Sequence, residues 1–173
     1  MPDIRIEEVR NIIRDAGGRV VGRTRLQKIA YLLSATGLDD SFRFAYKHYG
    51  PFSEELASSA KFGALFGNLD ERQDQTAWGG TYSIYTVTDM EGVNQGTPRS
   101  NLATLAATAD SIELELAATA VFLAHDGYDD PWDETAQRKP EKATAVRLAN
   151  AKTLLTNLSQ VNVPNPIPPV LLA

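Results

Sequence analysis

The sequence contains no cysteine and only two histidines, and it has no apolar run of about 20 residues. The absence of cysteine excludes disulfide scaffolds, thiolate zinc sites and cysteine nucleophiles. Without a long apolar run, no membrane-spanning helix is predicted. The start of the chain, residues 1–5, lacks the apolar run behind a basic end that marks a signal peptide. We therefore expect a cytoplasmic protein that does not act in a membrane.

Catalytic motifs are also missing. There is no Gly-x-Ser-x-Gly elbow, no glycine-rich phosphate loop and no His-Glu-x-x-His pattern. Folding can still bring distant carboxylates together, so an enzyme stays a third possibility. The acidic loop 125–134 offers oxygen ligands for a hard cation, but its spacing does not match an EF-hand, and Asp130 before Pro131 has a helix-capping explanation. We expect no catalytic residue, no metal and no cofactor.

Composition and charge describe an ordinary globular domain with an uneven surface. Of the 173 residues 43% are apolar and 23% are charged, which suits one domain with one core. The net charge is −5, yet residues 1–88 carry 11 basic and 11 acidic side chains, whereas residues 89–173 carry 6 and 11. A nucleic acid would therefore meet the N-terminal half, if one binds at all.

The N-terminal half predicts three helices followed by a hairpin. Apolar spacing and glycine stops place the helices at about 3–16, 24–37 and 53–67, with Thr24 and Ser53 as N-caps and Gln27 completing a capping box. Residues 42–49 alternate like a half-buried strand. Segments 68–76 and 81–88 flank a glycine-bearing connection and predict the hairpin.

The C-terminal part predicts more helices and an extended tail. Apolar residues recur 3 and 4 apart along one predicted helix, a pattern typical of helix–helix packing. We call this set the 102–123 seam: Leu102, Leu105, Ala109, Ile112, Leu116, Thr119 and Leu123. Pro131 and Pro140 are each expected to start a further helix. Four prolines in residues 161–173 favour an extended arm that folds back, docks on a neighbour or stays disordered.

This order of elements predicts a mainly α (α+β) fold, a winged helix-turn-helix-like core with a small β-hairpin wing and a C-terminal helical arm. The strand at 42–49 would join the small sheet beside the wing. The core would span residues 1–92, the arm 99–160 and the Pro-rich tail 161–173, all but the tail forming one compact unit. We expect a homodimer held through the 102–123 seam.

Several segments resemble a known family. Residues 22–33 (GRTRLQKIAYLL) and 49–56 (YGPFSEEL) are similar to motifs of the YwgA-like proteins and the more distant Panacea-type (SocA-like antitoxin) domains, and segments 114–119, 130–135 and 138–142 resemble YwgA-like ones. The motif positions that carry the resemblance include Tyr49, Gly50, Pro51, Ser53 and Trp132. The resemblance implies a winged-helix-like bacterial protein. The YwgA-like group is largely uncharacterised, and Panacea-type domains imply a protein-binding role in toxin neutralisation. Residues 57–64 depart from the family by being smaller and less charged.

The candidate binding residues are basic. Arg19, Arg23, Arg25 and Lys28 surround the start of the second helix, whose free N–H groups favour an anion. These cations would contact phosphate or an acidic partner, or they would pair with nearby carboxylates or stay solvated. The third helix adds only Lys61 beside two glutamates, so a packing helix is favoured over a DNA-reading one.

Aromatic residues between 42 and 52 could stack single-stranded bases, but core packing is the favoured interpretation. Together these features predict a non-enzymatic regulatory or adaptor protein that acts through contact with a protein partner. The alternative is a DNA-binding regulator, with double-stranded DNA contacted by the basic residues above and by the wing around residues 78–80.

Overall fold

A computed structural model describes residues 4–91 and 95–173. Within them the chain forms a mainly helical α+β fold, as the sequence predicts. The elements are α1 (Ile6–Asp15), β1 (Arg19–Val21), α2 (Arg23–Ala35), β2 (Ala45–Lys47), β3 (Gly50–Phe52), α3 (Glu54–Leu65), β4 (Asp70–Gln75), β5 (Thr81–Thr86), α4 (Pro98–Thr108), α5 (Ser111–His125), α6 (Pro131–Arg138), α7 (Ala145–Leu158) and a 3₁₀ turn (Pro169–Leu171). None of the helices in these two ranges is long and apolar enough to cross a membrane.

The predicted hairpin is present, but its third strand is not the one expected. Strands β4 and β5 pair antiparallel, and β1 lies on the other side of β5, giving the order β1-β5-β4. The prediction that residues 42–49 join this sheet is wrong: β2 instead pairs with β3 in a separate two-stranded sheet. The chain reverses after β2 because Gly50 takes a φ of +93°, which glycine adopts readily.

Side-chain caps explain most helix starts. Ser53 accepts a hydrogen bond from the Leu56 N–H at 3.2 Å, and Asp130 accepts one from the Asp133 N–H at 3.1 Å, as predicted. The predicted capping box at Thr24 is wrong. Helix α2 begins at Arg23 without a side-chain cap. The Gln27 amide is engaged elsewhere, with the backbone of Ser53 at 2.9 and 2.8 Å.

The last helix begins later than predicted. Residues 139–144 form turns rather than a helix starting at Pro140, and α7 begins at Ala145. Thr144 supplies the cap by accepting a hydrogen bond from the Arg147 N–H at 3.3 Å. A threonine hydroxyl satisfies a free N–H of the first turn, which a proline ring does not.

The predicted single helix over residues 102–123 is also wrong, because two helices share that span. Helix α4 ends at Thr108, and Asp110 caps α5 by accepting hydrogen bonds from two N–H groups at 2.9 and 3.0 Å. Helix α5 packs against α2, α6 and α7, and Leu116, Thr119 and Leu123 are buried within the chain. The predicted arm therefore forms the centre of the fold.

The Pro-rich tail folds back on its own domain, one of the three arrangements expected for it. Ile167 and Leu171 are buried, and the Trp132 indole N–H donates to the Leu171 carbonyl oxygen at 3.1 Å. The Asn165 N–H donates to the Thr36 carbonyl oxygen at 2.9 Å. Trp132 is thus a core residue that anchors the end of the chain.

Candidate binding groove

A long depression lies between the β4–β5 hairpin and helices α2 and α3. It consists of two adjoining cavities of about 610 and 650 Å³. Arg23, Thr24 and Tyr49 line both cavities and therefore mark their junction. We call the two cavities together the groove.

One wall of the groove is a face of the hairpin. The strand register pairs Glu71 with Tyr85 and Gln73 with Ser83, so these four side chains lie on the same face. At the end of the hairpin, Trp78 is 86% exposed and lines the second cavity. Strands of this length extend about 20 Å, which sets the length of this wall.

The opposite wall of the groove is largely apolar. Leu56 and Ala60 of α3 line the first cavity together with Leu26 of α2 and Phe52 of β3. Lys61 is exposed at the edge of the same cavity. Apolar walls with a few polar groups at the rim are typical of binding sites.

The turn that presents Tyr49 is held from beneath by two lysines. The Lys28 ammonium donates to the Pro51 carbonyl oxygen at 2.7 Å, and Lys139 donates to the His48 carbonyl oxygen at 3.2 Å. Gly50 is required between them, because a Cβ there would lie 2.5 Å from the Thr119 hydroxyl oxygen. Tyr49, 57% exposed, is therefore fixed at the junction of the two cavities.

A buried charge cluster lies below this turn. The Glu115 carboxylate accepts hydrogen bonds from Lys139 at 2.8 Å and from Lys142 at 2.9 Å. The Lys142 ammonium also lies 5.0 Å from the centre of the Tyr49 ring, within cation–π distance. Burial lowers the pKa of Lys28 to about 7; Glu115 opposes this shift, and the two neighbouring lysines add to it.

The five predicted phosphate-contacting residues are separated by the fold. Arg25 donates to the backbone carbonyls of Val21 and Ala107 at 3.0 Å and also to that of Ala109, and its burial lowers its pKa. Lys28 supports the turn and is buried. The structure brings Arg23, Lys28 and Lys61 to the first cavity, whereas Arg19 lies outside both cavities on β1.

Arg23 remains available at the groove although it has a partner. Its guanidinium donates to the Glu71 carboxylate at 3.3 Å, and this hydrogen bond raises the pKa of Arg23. The Arg23 side chain is still 67% exposed. Arg19 and Lys61 are exposed and form no ion pair among the described residues.

The aromatic segment serves two purposes. Phe44 packs edge-on against Tyr31, with 5.4 Å between the ring centroids, and the ring centroids of Tyr46 and Phe122 lie 5.9 Å apart. These contacts agree with the favoured core-packing interpretation. Tyr49 and Phe52, in contrast, line the groove.

Sequence reasoning missed the hairpin face and the buried cluster. The alternation along residues 81–88 could place Tyr85 on one face, but its pairing with Glu71 requires the register of β4. Lys139, Lys142 and Glu115 lie in segments that carry the resemblance, but the sequence does not show that they pair, since Glu115 is distant from both lysines along the chain. In the acidic loop 125–134, Asp130 acts as a cap, and the described residues contain no group of three His, Cys, Asp or Glu that could hold a metal.

Comparison with known proteins assigns no family. No family model, no curated protein and no solved structure matches the chain. The resemblance to YwgA-like and Panacea-type proteins therefore stays a prediction that depends on the motifs quoted above.

Proposed function

We propose that this is a non-enzymatic regulatory or adaptor protein that binds another protein in the groove. The observation that carries the proposal is the pair of exposed aromatic residues, Tyr49 and Trp78, placed along a groove with apolar walls. Exposed aromatic residues beside apolar pockets are typical of protein–protein hot spots. Hydrogen bonds from Lys28 and Lys139 to the carbonyl oxygens of Pro51 and His48 hold the backbone turn that carries Tyr49.

The arrangement of elements supports a winged-helix-like ancestry. The order α1-β1-α2-α3-β4-β5 with the sheet order β1-β5-β4 is the one expected of a winged helix, with β4–β5 as the wing. The short β2–β3 sheet is an addition between α2 and α3. In such a fold α3 would read the major groove of DNA.

The exposed charges of α3 favour a protein partner over DNA. Its first turn carries Glu54 and Glu55, and Lys61 is its one basic residue. Two carboxylates facing phosphates oppose the counterion release that drives most DNA affinity. Because Lys28 is buried and Arg25 is bound to backbone carbonyls, neither is free for a phosphate.

Affinity capture followed by calorimetry tests the proposal. The tagged protein is used to capture a partner from source-cell lysate, and the purified partner is then titrated into wild type and variants. Trp78→Ala and Tyr49→Ala are expected to weaken binding by about tenfold or more. Phe66→Ala is the matched control, since Phe66 is 65% exposed but lies outside the groove. Equal affinity for all four proteins would contradict a role for the groove.

The second candidate is a DNA-binding transcriptional regulator, favoured by the element order and by exposed Arg19, Arg23 and Lys61. Fluorescence anisotropy with duplex DNA from the upstream region of the protein's own gene, against a random duplex, tests it directly. Specific binding that persists at physiological salt would overturn the adaptor proposal. In that case Arg23→Ala with Lys61→Ala should change the salt slope by about 1 for each contact removed.

A further inference from the structure

We propose that the groove accepts an extended acidic segment of the partner, with an apolar side chain in the first cavity and a carboxylate at Arg23 and Lys61. This inference rests on the proposed function and adds the chemical class of the partner. It follows from the charge, the length and the wall chemistry of the groove.

The charge of the groove is opposite to that of the molecule. Among the described residues, the two cavities are lined by four basic side chains and one carboxylate, that of Glu71. The basic residues are Arg23, Arg25, Lys28 and Lys61. The protein as a whole has a net charge of −5. A basic groove attracts an acidic segment and repels a basic one.

Of the groove charges, Arg23 and Lys61 are the ones placed to meet a ligand. The single acidic side chain, Glu71, is already bound by the Arg23 guanidinium at 3.3 Å and by the Ser83 hydroxyl at 2.6 Å. Arg23 is mostly exposed, and Lys61 forms no ion pair among the described residues. Both side chains are therefore accessible to ligand carboxylates at the first cavity.

The shape of the groove fits an extended chain. The hairpin wall is about 20 Å long, which corresponds to about six residues of extended peptide. The first cavity, of about 610 Å³, is walled by Phe52, Leu56 and Tyr85 and has room for a large apolar side chain. Trp78 at the far end offers a second apolar contact.

A nucleic acid fits the groove less well. A single strand could stack on Tyr49 and Trp78, but it carries a phosphate on every nucleotide. Among the described groove residues, only the basic side chains of Arg23 and Lys61 are exposed, since Arg25 is bound to backbone carbonyls and Lys28 is buried. Single-stranded DNA is therefore the competing outcome of the test.

The test is a selection from a phage-displayed library of random peptides of about seven residues, matched to the groove length. A fluorescein-labelled copy of the enriched sequence is then titrated by anisotropy. We expect enrichment of peptides that combine Asp or Glu with an aromatic or large aliphatic residue. Lys61→Glu and Trp78→Ala should weaken binding by about tenfold or more. Arg43→Glu and Phe66→Ala, a charge reversal and an aromatic truncation outside the groove, should bind like wild type.

Three results would overturn the inference: enrichment of basic or uncharged peptides, absence of any enriched peptide, or tighter binding of a fluorescein-labelled oligo-dT that the groove variants abolish. The proposed function fails separately. If a captured partner loses affinity with Trp78→Ala while the selected peptides lack acidic residues, the adaptor function stands and only the acidic class is wrong. If partner affinity is unchanged in all groove variants, the proposed function is wrong as well.

Discussion

Lys28 lies early in α2, and its ammonium is buried against the carbonyl oxygen of Pro51. Taking a lysine out of water is costly, and the nearby Lys139 and Lys142 increase the cost of its positive charge. The hydrogen bond to Pro51 fixes the turn that carries Tyr49. Burial of Lys28 thus lowers the folding stability, while its hydrogen bond fixes the position of Tyr49 in the groove. Binding sites commonly lower stability in this way.

The buried ammonium of Lys28 predicts an unusual pH dependence of folding stability. The unfolded chain keeps the Lys28 proton up to about pH 10.5, whereas the folded chain releases it near pH 7. The burial cost is therefore fully present below pH 7 and is relieved as the pH rises. Between about pH 7 and 10.5, Lys28 should therefore raise the free energy of unfolding by at most about 1.4 kcal/mol per pH unit.

Urea denaturation of wild type and Lys28→Met at pH 7.5 and 9 measures this effect. We expect stability to rise with pH in wild type and to rise less in the variant. The exposed Lys61→Met is the control and should keep the wild-type difference between the two pH values. An identical pH dependence in Lys28→Met and wild type would show that Lys28 is charged throughout this range.

Gly50 combines two constraints that can be separated. Its φ of +93° strains any other residue, and a Cβ would also meet the Thr119 hydroxyl at 2.5 Å. Gly50→Ala should therefore cost about 3 kcal/mol of unfolding free energy. Gly67→Ala has a similar φ of +77° with no atom near its Cβ, so it should cost only about 1 kcal/mol.

Chemical denaturation of the two alanine variants and of Gly50→Ala combined with Thr119→Ala tests the assignment. The double variant should recover part of the loss, because the close contact is removed while the backbone strain remains. Equal losses in Gly50→Ala and Gly67→Ala would mean that Thr119 moves aside without cost.

At the scale of elements, the C-terminal turn (Pro169–Leu171) completes the core next to Trp132. Leu171 is fully buried, whereas Leu172 beside it is 37% exposed. Leu171→Ala should lower the free energy of unfolding by about 2–4 kcal/mol, and Leu172→Ala by less than about 1 kcal/mol. Thermal or urea unfolding of the pair measures this, and equal small losses would mean that the tail does not pack on the domain in solution.

Local signals in the sequence predicted the elements that depend on a few neighbouring residues. Ser53 and Asp130 were predicted as caps because a capping side chain and its N–H partner lie within one turn. The 102–123 seam suggested one helix because the apolar spacing continues from Leu105 through Ala109 to Ile112. Asp110 instead caps a new helix by accepting hydrogen bonds from the Ile112 and Glu113 N–H groups, a local signal that the apolar spacing alone overlooks.

The groove was only partly predictable because its residues come from segments that lie far apart in the sequence. Charge alone drew attention to Arg23, Lys28 and Lys61, which do line the first cavity. Charge could not tell that Lys28 is buried or that Arg25 binds backbone carbonyls, since both depend on chain segments far away in the sequence. Strand register brings Glu71 and Tyr85 into the groove, and register was not specified by composition.

At the scale of the whole molecule, α5 determines which surfaces remain for a partner. Residues 114–121 of this helix are all buried, surrounded by α2, α6, α7 and β3 of the same chain. The C-terminal half of the seam expected to hold a homodimer is therefore occupied within the monomer. The groove, formed by α2, α3 and the hairpin, keeps its exposed aromatic residues Tyr49 and Trp78.

This arrangement predicts the effect of placing a charge in the seam. If residues 102–123 joined two subunits, Leu116→Asp would give a folded monomer, because an exposed interface side chain tolerates a carboxylate once the subunits separate. Leu116 is instead fully buried in the chain, so an unpaired carboxylate there should cost about 4 kcal/mol or more, a large part of a typical domain's total stability. Circular dichroism, which reports folding, and light scattering, which reports mass, distinguish a seam between subunits from a seam buried within one chain. We expect loss of cooperative unfolding in Leu116→Asp, whereas Val146→Asp, on the exposed face of α7, should stay folded with the wild-type mass. A folded Leu116→Asp with half the wild-type mass would place the seam between subunits.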